Sequence, residues 1–184
     1  DLLPGFPSTH EDDPSQSEPG TLSYNVFQIR GDSLDNLWVA TTAGLGRYDG
    51  ETWTVYDVSS GLPEETITAI FFDSKDRLWV GTNNGYLSKF NGITFDTVRN
   101  LNEIGIYEIY AIAEGKNGLI WLAGEGGVAS LNPDNDGWTI YSPEYANFPS
   151  SAATALAVDT NGDIFLGTWS DGLIRYDGNA FTTH

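Results

Sequence analysis

A short apolar segment with a central aromatic residue recurs four times along the chain, and this repeat constrains the fold more than any other feature. The four copies read NLWVAT, RLWVGT, LIWLAG and DIFLGT and begin at residues 36, 77, 119 and 163. Their aromatic residues, Trp38, Trp79, Trp121 and Phe165, are 41, 42 and 44 residues apart. Such a period is typical of β-propeller blades and of other repeat arrays.

Each copy lies among short strand-forming runs separated by turn residues, which predicts a four-stranded meander. We therefore predict an all-β fold: a β-propeller of four four-stranded antiparallel blades over residues 24–184, or an arc of a larger ring. The predicted blades span about 24–58, 66–99, 107–141 and 153–184. Residues 1–23 are predicted to form an extended, Pro-rich arm, because their composition offers little apolar surface to bury.

The turns repeat together with the strands. Asp49-Gly50, Asn91-Gly92 and Asp177-Gly178 each stand between two predicted strands, and these dipeptides tolerate the positive φ of tight hairpins. The second strand of each blade is apolar at consecutive residues, which indicates a sheet covered on both faces. A blade that packs between two neighbouring blades has both faces of its sheet covered.

Four blades can be arranged in three ways: a closed ring, an arc of a longer chain, or an arc completed by another molecule. Four blades is the lower limit for propellers. The closed ring is the favoured prediction, because it alone covers both end blades without outside help.

Charge and composition exclude several classes of function. The chain has 26 acidic and 8 basic residues and a net charge of −18, so it should repel nucleic acids and anionic membrane surfaces. It has no Cys, which excludes disulfides and thiolate metal sites. No apolar run approaches the roughly 18 residues of a membrane-spanning helix, so no direct membrane insertion is expected. The absence of Met indicates a processed or partial product.

The repeat resembles a known family. The pattern consists of Gly44-Leu45, Tyr48-Asp49-Gly50, Trp53, Gly61-Leu62-Pro63, an apolar strand ending at Asp73, and Leu78-Trp79-Val80-Gly81-Thr82. It is similar to the two-component regulator propeller repeat. The third copy departs from the pattern at Ala123-Gly124. The resemblance implies an extracytoplasmic bacterial protein, in the periplasm or at the cell surface, that binds rather than catalyses; such propellers often sense glycans and usually have seven or more blades.

Catalytic chemistry is sparse, and no enzyme activity is expected. The only histidines are His10 in the arm and His184 at the end of the sequence, so no histidine within the blades can act as a general base or metal ligand. This counts against the main enzymatic alternative, a propeller like the streptogramin lyases. Carboxylate pairs could support glycoside cleavage, but Asp and Glu stand mainly at turns, where backbone bonding explains them.

Propeller ligands usually bind over the central channel, on the face formed by the loops between second and third strands and by the links between blades. The candidate ligand- or partner-binding residues there are Asn83, Asn84, Glu125, Trp169, Asp171, Tyr145, Glu64 and Glu103. Trp169 is the strongest candidate, because it follows Gly167-Thr168 in a loop and an exposed Trp anchors proteins or sugars. Packing against the neighbouring blade is the alternative for Trp169. In the arm, Leu2, Leu3 and Phe6 are predicted to contact a partner, with self-packing as the alternative.

No metal or other cofactor is predicted, and calcium is the alternative that the residues leave open. Asn132, Asp134, Asp136 and Gly137 have the spacing of the first half of a calcium loop, but the twelfth position is Pro143 instead of Glu. A second group of oxygen ligands is Asp159, Asn161 and Asp163.

The leading interpretation is a non-catalytic propeller that acts as a protein-interaction or accessory subunit of a larger bacterial assembly, tethered by its arm. The alternative is a ligand- or glycan-sensing module of a two-component regulator. Enzymatic turnover of a glycan ranks third.

Overall fold

The computed structural model describes residues 25–144 and 148–184, which form sixteen strands in four antiparallel sheets. Blade 1 contains β1 (Val26–Gly31), β2 (Leu37–Thr41), β3 (Gly44–Tyr48) and β4 (Trp53–Tyr56). Blade 2 contains β5 (Ile67–Phe72), β6 (Leu78–Thr82), β7 (Tyr86–Phe90) and β8 (Phe95–Asn100). Blade 3 contains β9 (Glu108–Glu114), β10 (Ile120–Glu125), β11 (Gly127–Asn132) and β12 (Gly137–Tyr141). Blade 4 contains β13 (Ala153–Val158), β14 (Ile164–Thr168), β15 (Leu173–Tyr176) and β16 (Phe181–Thr183).

The predicted meander of four strands is confirmed in every blade, since the strands pair in sequence order. The hairpin turns have the predicted backbone: Gly50, Gly92 and Gly178 have φ of 98°, 99° and 94°. Every residue of β6 is buried, as expected of a strand covered on both faces. Local turn chemistry and the apolar pattern therefore agree on one architecture.

Three apolar cores lie between successive blades. Trp38 of blade 1 packs with Ile70 and Val80 of blade 2. Trp79 of blade 2 packs in the same manner with Ile112 and Leu122 of blade 3. Trp121 of blade 3 packs with Ile164 and Leu166 of blade 4. Each blade thus presents the aromatic of its second strand to the blade that follows it.

The four blades form an open arc. Neighbouring first strands pack in the order β1, β5, β9 and β13, and no fourth core joins β13 to β1 within 25–144 and 148–184. The favoured prediction of a closed four-bladed ring is therefore wrong for the part of the chain that the structure describes. The end blades do not cover one another, since Ile29 and Leu37 of blade 1 are 54% and 43% exposed and Leu173 of blade 4 is 43% exposed.

The links between blades contain two short helical turns and one buried aromatic residue. Two 3₁₀ turns, Val58–Ser60 and Leu101–Ile104, follow the first two blades; they are too short to produce a helical periodicity in the sequence. In the link after β12, Phe148 lies fully buried in the third core.

Some predicted features lie outside the described residues. They are the arm, with Leu2, Leu3 and Phe6, and Tyr145 in the link before blade 4. In the described part of the chain no helix is long and apolar enough to cross a membrane.

Candidate functional site

The upper face of the arc, as we call it, is formed by the turns between second and third strands and by the links between blades. It comprises residues 42–43, 57–66, 83–85, 101–108, 125–127, 142–144, 148–152 and 168–172. Because the strands are antiparallel and pair in sequence order, these segments all lie at the same end of the strands in the four sheets. All predicted binding residues in the described part of the chain lie in them.

A hydrogen-bonded chain on this face joins the two links that flank blade 2 through the β6–β7 turn. It consists of Glu64, Asn84 and Asn102. The Asn84 side-chain amide donates to Glu64 Oε1 at 2.7 Å, and the Asn102 amide donates to the Asn84 carbonyl at 2.8 Å. The remaining acceptors Glu64 Oε2 and Asn102 Oδ1 are buried and accept no hydrogen bond. Asn83 is adjacent, and its backbone N–H donates to Thr66.

Trp169 is 70% exposed, and its indole packs against the ring of Tyr110. The two ring centroids are 5.6 Å apart with an interplanar angle of 49°. Burial raises the pKa of Tyr110 to about 12, and the neighbouring charge and hydrogen bond of Glu108 act in the same direction. The phenol therefore stays protonated, and its O–H donates a hydrogen bond to the Glu108 carboxylate, which orients the ring beneath Trp169.

Two predicted acidic residues flank this aromatic pair. Glu125 is exposed, and its carbonyl accepts the backbone N–H of Tyr107 at 2.9 Å; its charge also contributes to the raised pKa of Tyr110. Asp171 has a lowered pKa, because the Ser150 and Ser170 hydroxyls donate to its carboxylate. Trp169 and Glu125 thus both lie near Tyr110, and Asp171 stands two residues after Trp169.

Glu103 lies in a cleft beside this cluster. The cleft has a volume of about 630 Å³ and is lined by the link segments 102–105 and 142–144, together with Tyr107, Gly126 and Ser151. Tyr107 is an exposed aromatic residue, and Glu103 and Glu144 are exposed carboxylates. Such a combination can hold hydroxyl groups or a cation.

Charge is distributed unevenly between the two faces. The described upper-face segments contain no Lys or Arg. Their acidic residues are Asp57, Glu64, Glu65, Glu103, Glu108, Glu125, Glu144 and Asp171. Lys75 and Lys116 lie in the opposite turns, and Arg47 and Arg175 bond Asn36 and Asp163 there. Arg99 lies near the end of β8 and packs over the Trp138 ring. The upper face therefore carries a negative potential that attracts cations.

Comparisons with known proteins also point to a β-propeller. Residues 61–84 match the family model described as two component regulator propeller. The chain carries this propeller repeat. A sequence search of curated proteins finds no match.

Solved structures extend the similarity to all four blades. The extracellular domain of a putative hybrid two component system from B. thetaiotaomicron matches with 23% identity and a TM-score of 0.76, over 94% of this chain and 25% of that chain. A second such extracellular domain from the same organism matches with 23% identity and a TM-score of 0.74, over 91% and 23%. The chain thus spans about a quarter of these structures.

A third match is an enzyme. Virginiamycin B lyase from Staphylococcus aureus, in a catalytically inactive His-to-Ala form with quinupristin, has 14% identity and a TM-score of 0.70, over 86% of this chain and 55% of that chain. At these identities the matches establish the propeller fold alone.

Neither candidate calcium group collects three carboxylates, and within 25–144 and 148–184 no three His, Asp or Glu residues are placed to hold a metal. Asp134 pairs with Lys75 at 3.0 Å. Asn132 Oδ1 accepts the backbone N–H of Asp134 at 3.0 Å. Asp159 Oδ1 accepts the backbone N–H groups of residues 161–163. These side-chain oxygens are therefore engaged in an ion pair or in hydrogen bonds to turn backbone. Asp136 is exposed.

Three residues at the upper face or directly beneath it were not predicted from the sequence: Tyr107, Glu108 and Tyr110. All three stand at the start of β9 or just before it, where they appear as ordinary strand residues. Their repeat positions would have indicated them, since the first strand of each blade lines the centre of a propeller.

Proposed function

We propose that this chain is a non-catalytic, extracytoplasmic β-propeller module that binds a protein partner through its upper face. The observation that carries the proposal is the exposed indole of Trp169, held on Tyr110 and surrounded by carboxylates. An exposed Trp with a rigid support is an anchor that costs little conformational entropy on binding. The surrounding charges favour a partner with a basic contact surface.

Catalysis is not proposed, because the sequence has no histidine between His10 and His184 that could act as a general base within the blades. The lyase of similar fold is inactivated by a His-to-Ala substitution, whereas the two histidines of this chain are His10 and His184. The extracellular origin of the two-component structures supports a location outside the cytoplasm. In the same proposal the chain is an accessory subunit of a larger assembly. The arm contacts the partner through Leu2, Leu3 and Phe6.

Site-specific photocrosslinking tests the partner surface. A photoreactive amino acid is placed at Trp169 in one variant and at Ile93, which is 87% exposed on the opposite face, in the other. We expect a discrete crosslinked protein from the envelope fraction of the source organism with the first variant and none with the second. Equal crosslinking at both positions would contradict the proposal. Deletion of residues 1–20 should weaken the capture while the blades stay folded.

A glycan-sensing role is the second candidate, favoured by the cleft of about 630 Å³ that joins Tyr107 to Glu103 and Glu144. In such a cleft the aromatic ring stacks on a sugar face, and the carboxylates accept hydrogen bonds from sugar hydroxyl groups. Titration with a panel of soluble oligosaccharides, monitored by tryptophan fluorescence, distinguishes the glycan role from the protein-partner role. Saturable binding that is lost in Tyr107→Ala but kept in Ile93→Ala would favour the glycan role.

A further inference from the structure

The cleft on the upper face is bounded by segments that hold one another in place. Its volume is about 630 Å³, within the roughly 300–1,000 Å³ of small-ligand pockets. Residues 102–105 touch the turn between β10 and β11, where a Cβ on Gly126 would lie 1.7 Å from the Gly105 carbonyl oxygen. The Gly126 N–H donates to the Ser151 carbonyl at 2.7 Å. Because these contacts are made by backbone atoms, the cleft is preformed, which lowers the entropic cost of binding.

The blades around the cleft have a neighbouring blade on both sides. Residues 102–105 link blade 2 to blade 3, and residues 142–144 and 151 belong to the link between blades 3 and 4. The exposed outer faces of blades 1 and 4 contribute no residue to the lining. The cleft therefore does not depend on what packs against those two faces.

Two carboxylates line the cleft, and neither is paired within the described part of the chain. Glu103 and Glu144 are exposed, and they form no ion pair or side-chain hydrogen bond with the residues of 25–144 and 148–184. The described residues that line the cleft include no Lys or Arg. The charge of the two carboxylates therefore favours a ligand with a positive group.

An aromatic ring and a buried acceptor restrict the kind of cation that fits. The Tyr107 side chain lines the cleft and is 54% exposed, so its ring can stack on a ligand. Asn102 also lines the cleft, and its Oδ1 is buried and accepts no hydrogen bond. A buried acceptor without a donor is unfavourable. The lining thus favours a flat cation that brings several N–H groups.

We propose that the cleft binds an arginine side chain of the protein partner. A guanidinium is always charged, stacks on aromatic rings and carries a planar fork of N–H donors. The fork donates two parallel hydrogen bonds to one carboxylate. A lysine ammonium matches the charge but has neither the planar fork nor the stacking surface, and a neutral sugar leaves both carboxylates without a counter-charge. The inference rests on the proposed function, because it names the chemical group by which the partner is held.

NMR titration of the isotope-labelled chain with three blocked peptides tests the arginine site. Each peptide carries one central residue between glycines: Arg, Lys or citrulline, which keeps the shape of arginine without its charge. We expect saturable shifts with the arginine peptide at the residues that line the cleft, about tenfold weaker binding of the lysine peptide, and no binding of the citrulline peptide. Added salt should weaken the binding of the arginine peptide.

Substitutions in the cleft locate the binding. Glu103→Gln and Glu144→Gln should each weaken binding of the arginine peptide by about fivefold to tenfold, and Tyr107→Leu should reduce the preference for arginine over lysine. Glu51→Gln is the matched control, since it removes the same charge from an exposed residue of the β3–β4 turn on the opposite face. Equal weakening in Glu51→Gln, equal binding of the arginine and lysine peptides, or binding of a neutral oligosaccharide in place of the arginine peptide would each overturn the proposal.

Photocrosslinking at Trp169 separates this inference from the proposed function. Combining the crosslinker with Glu103→Gln and Glu144→Gln should reduce capture of the partner. Undiminished capture would overturn the arginine site and leave the protein-partner role standing. A chain with native cleft residues that binds the arginine peptide but captures no protein would refute the partner role, while the cleft would remain a site for arginine.

Discussion

The indole nitrogen of Trp79 donates a hydrogen bond to Asp73 Oδ2 at 2.8 Å. Asp73 is buried, and it also accepts the Arg77 Nε–H at 2.6 Å and the backbone N–H groups of Lys75 and Arg77. One carboxylate therefore joins the turn before β6 to the aromatic residue that fills the core between blades 2 and 3. Asp32 bonds Trp38 in the same way in blade 1.

Replacing Asp73 should destabilise the propeller strongly. Asp73→Ala leaves the indole N–H, the Arg77 guanidinium and two backbone donors without their acceptor, and we expect a loss of about 3 kcal/mol in the free energy of unfolding. Asp159 is the matched control, since it bonds the same turn in blade 4, where Phe165 has no N–H to donate. Urea denaturation should show a clearly smaller loss for Asp159→Ala; equal losses would mean that the Trp contact contributes nothing.

The same carboxylate should make stability depend on acid pH. Burial alone would raise the pKa of Asp73, but the hydrogen bonds from Trp79, Arg77 and Lys75 outweigh it, so the pKa lies below the ordinary value of 3.8. A lowered pKa in the folded state contributes stability that is complete above pH 3.8 and is lost as the pH falls through the folded pKa.

Asp73→Asn isolates this contribution, because it keeps an acceptor oxygen and removes the charge. The difference in unfolding free energy between the native chain and Asp73→Asn should be constant at neutral pH and shrink below pH 3.8. Denaturation curves at a series of pH values measure it. A difference that grows on acidification would contradict the assigned direction of the shift.

The sequence predicted the strands, their grouping into four-stranded blades and the hairpin turns, because those depend on local pattern. It could not predict the open ends, since Ile29 and Ile70 have the same identity and the same register, and only the neighbouring blade distinguishes them. It also missed the support of Trp169. Tyr110 lies 59 residues earlier in the sequence, and their contact exists only because blades 3 and 4 pack side by side.

Two glycines with nearly the same φ allow the cost of backbone strain to be separated from the cost of close packing. Gly126 has φ of 96° and Gly92 has φ of 99°, so Ala is strained at both, by about 1–2 kcal/mol. A Cβ at Gly126 would lie 1.7 Å from the Gly105 carbonyl oxygen, whereas one at Gly92 would meet nothing within 4 Å. Backbone cannot yield as a side chain can, and we expect Gly126→Ala to cost about 2–3 kcal/mol more than Gly92→Ala. Thermal and urea unfolding of the pair measure the difference; similar losses would show that the loop moves freely.

The support of Trp169 predicts an alkaline titration that depends on the indole. Burial is the main cause that raises the pKa of Tyr110 from 10.0 to about 12, and Trp169 covers part of its ring. The difference in tyrosinate absorbance between the native chain and Tyr110→Phe reports this residue alone, and its midpoint should lie near pH 12.

Removing the indole should lower that midpoint. In Trp169→Ala, water reaches the Tyr110 ring and the pKa moves back toward 10.0, whereas Ile93→Ala on the opposite face should leave it unchanged. A phenol that ionises less readily in the folded state makes stability fall as the pH rises from 10 toward 12, because the unfolded chain releases its proton first. An unchanged midpoint in Trp169→Ala would show that Glu108 and Glu125, rather than the aromatic pair, hold the phenol neutral, and the indole would then be free to leave Tyr110 when a partner binds.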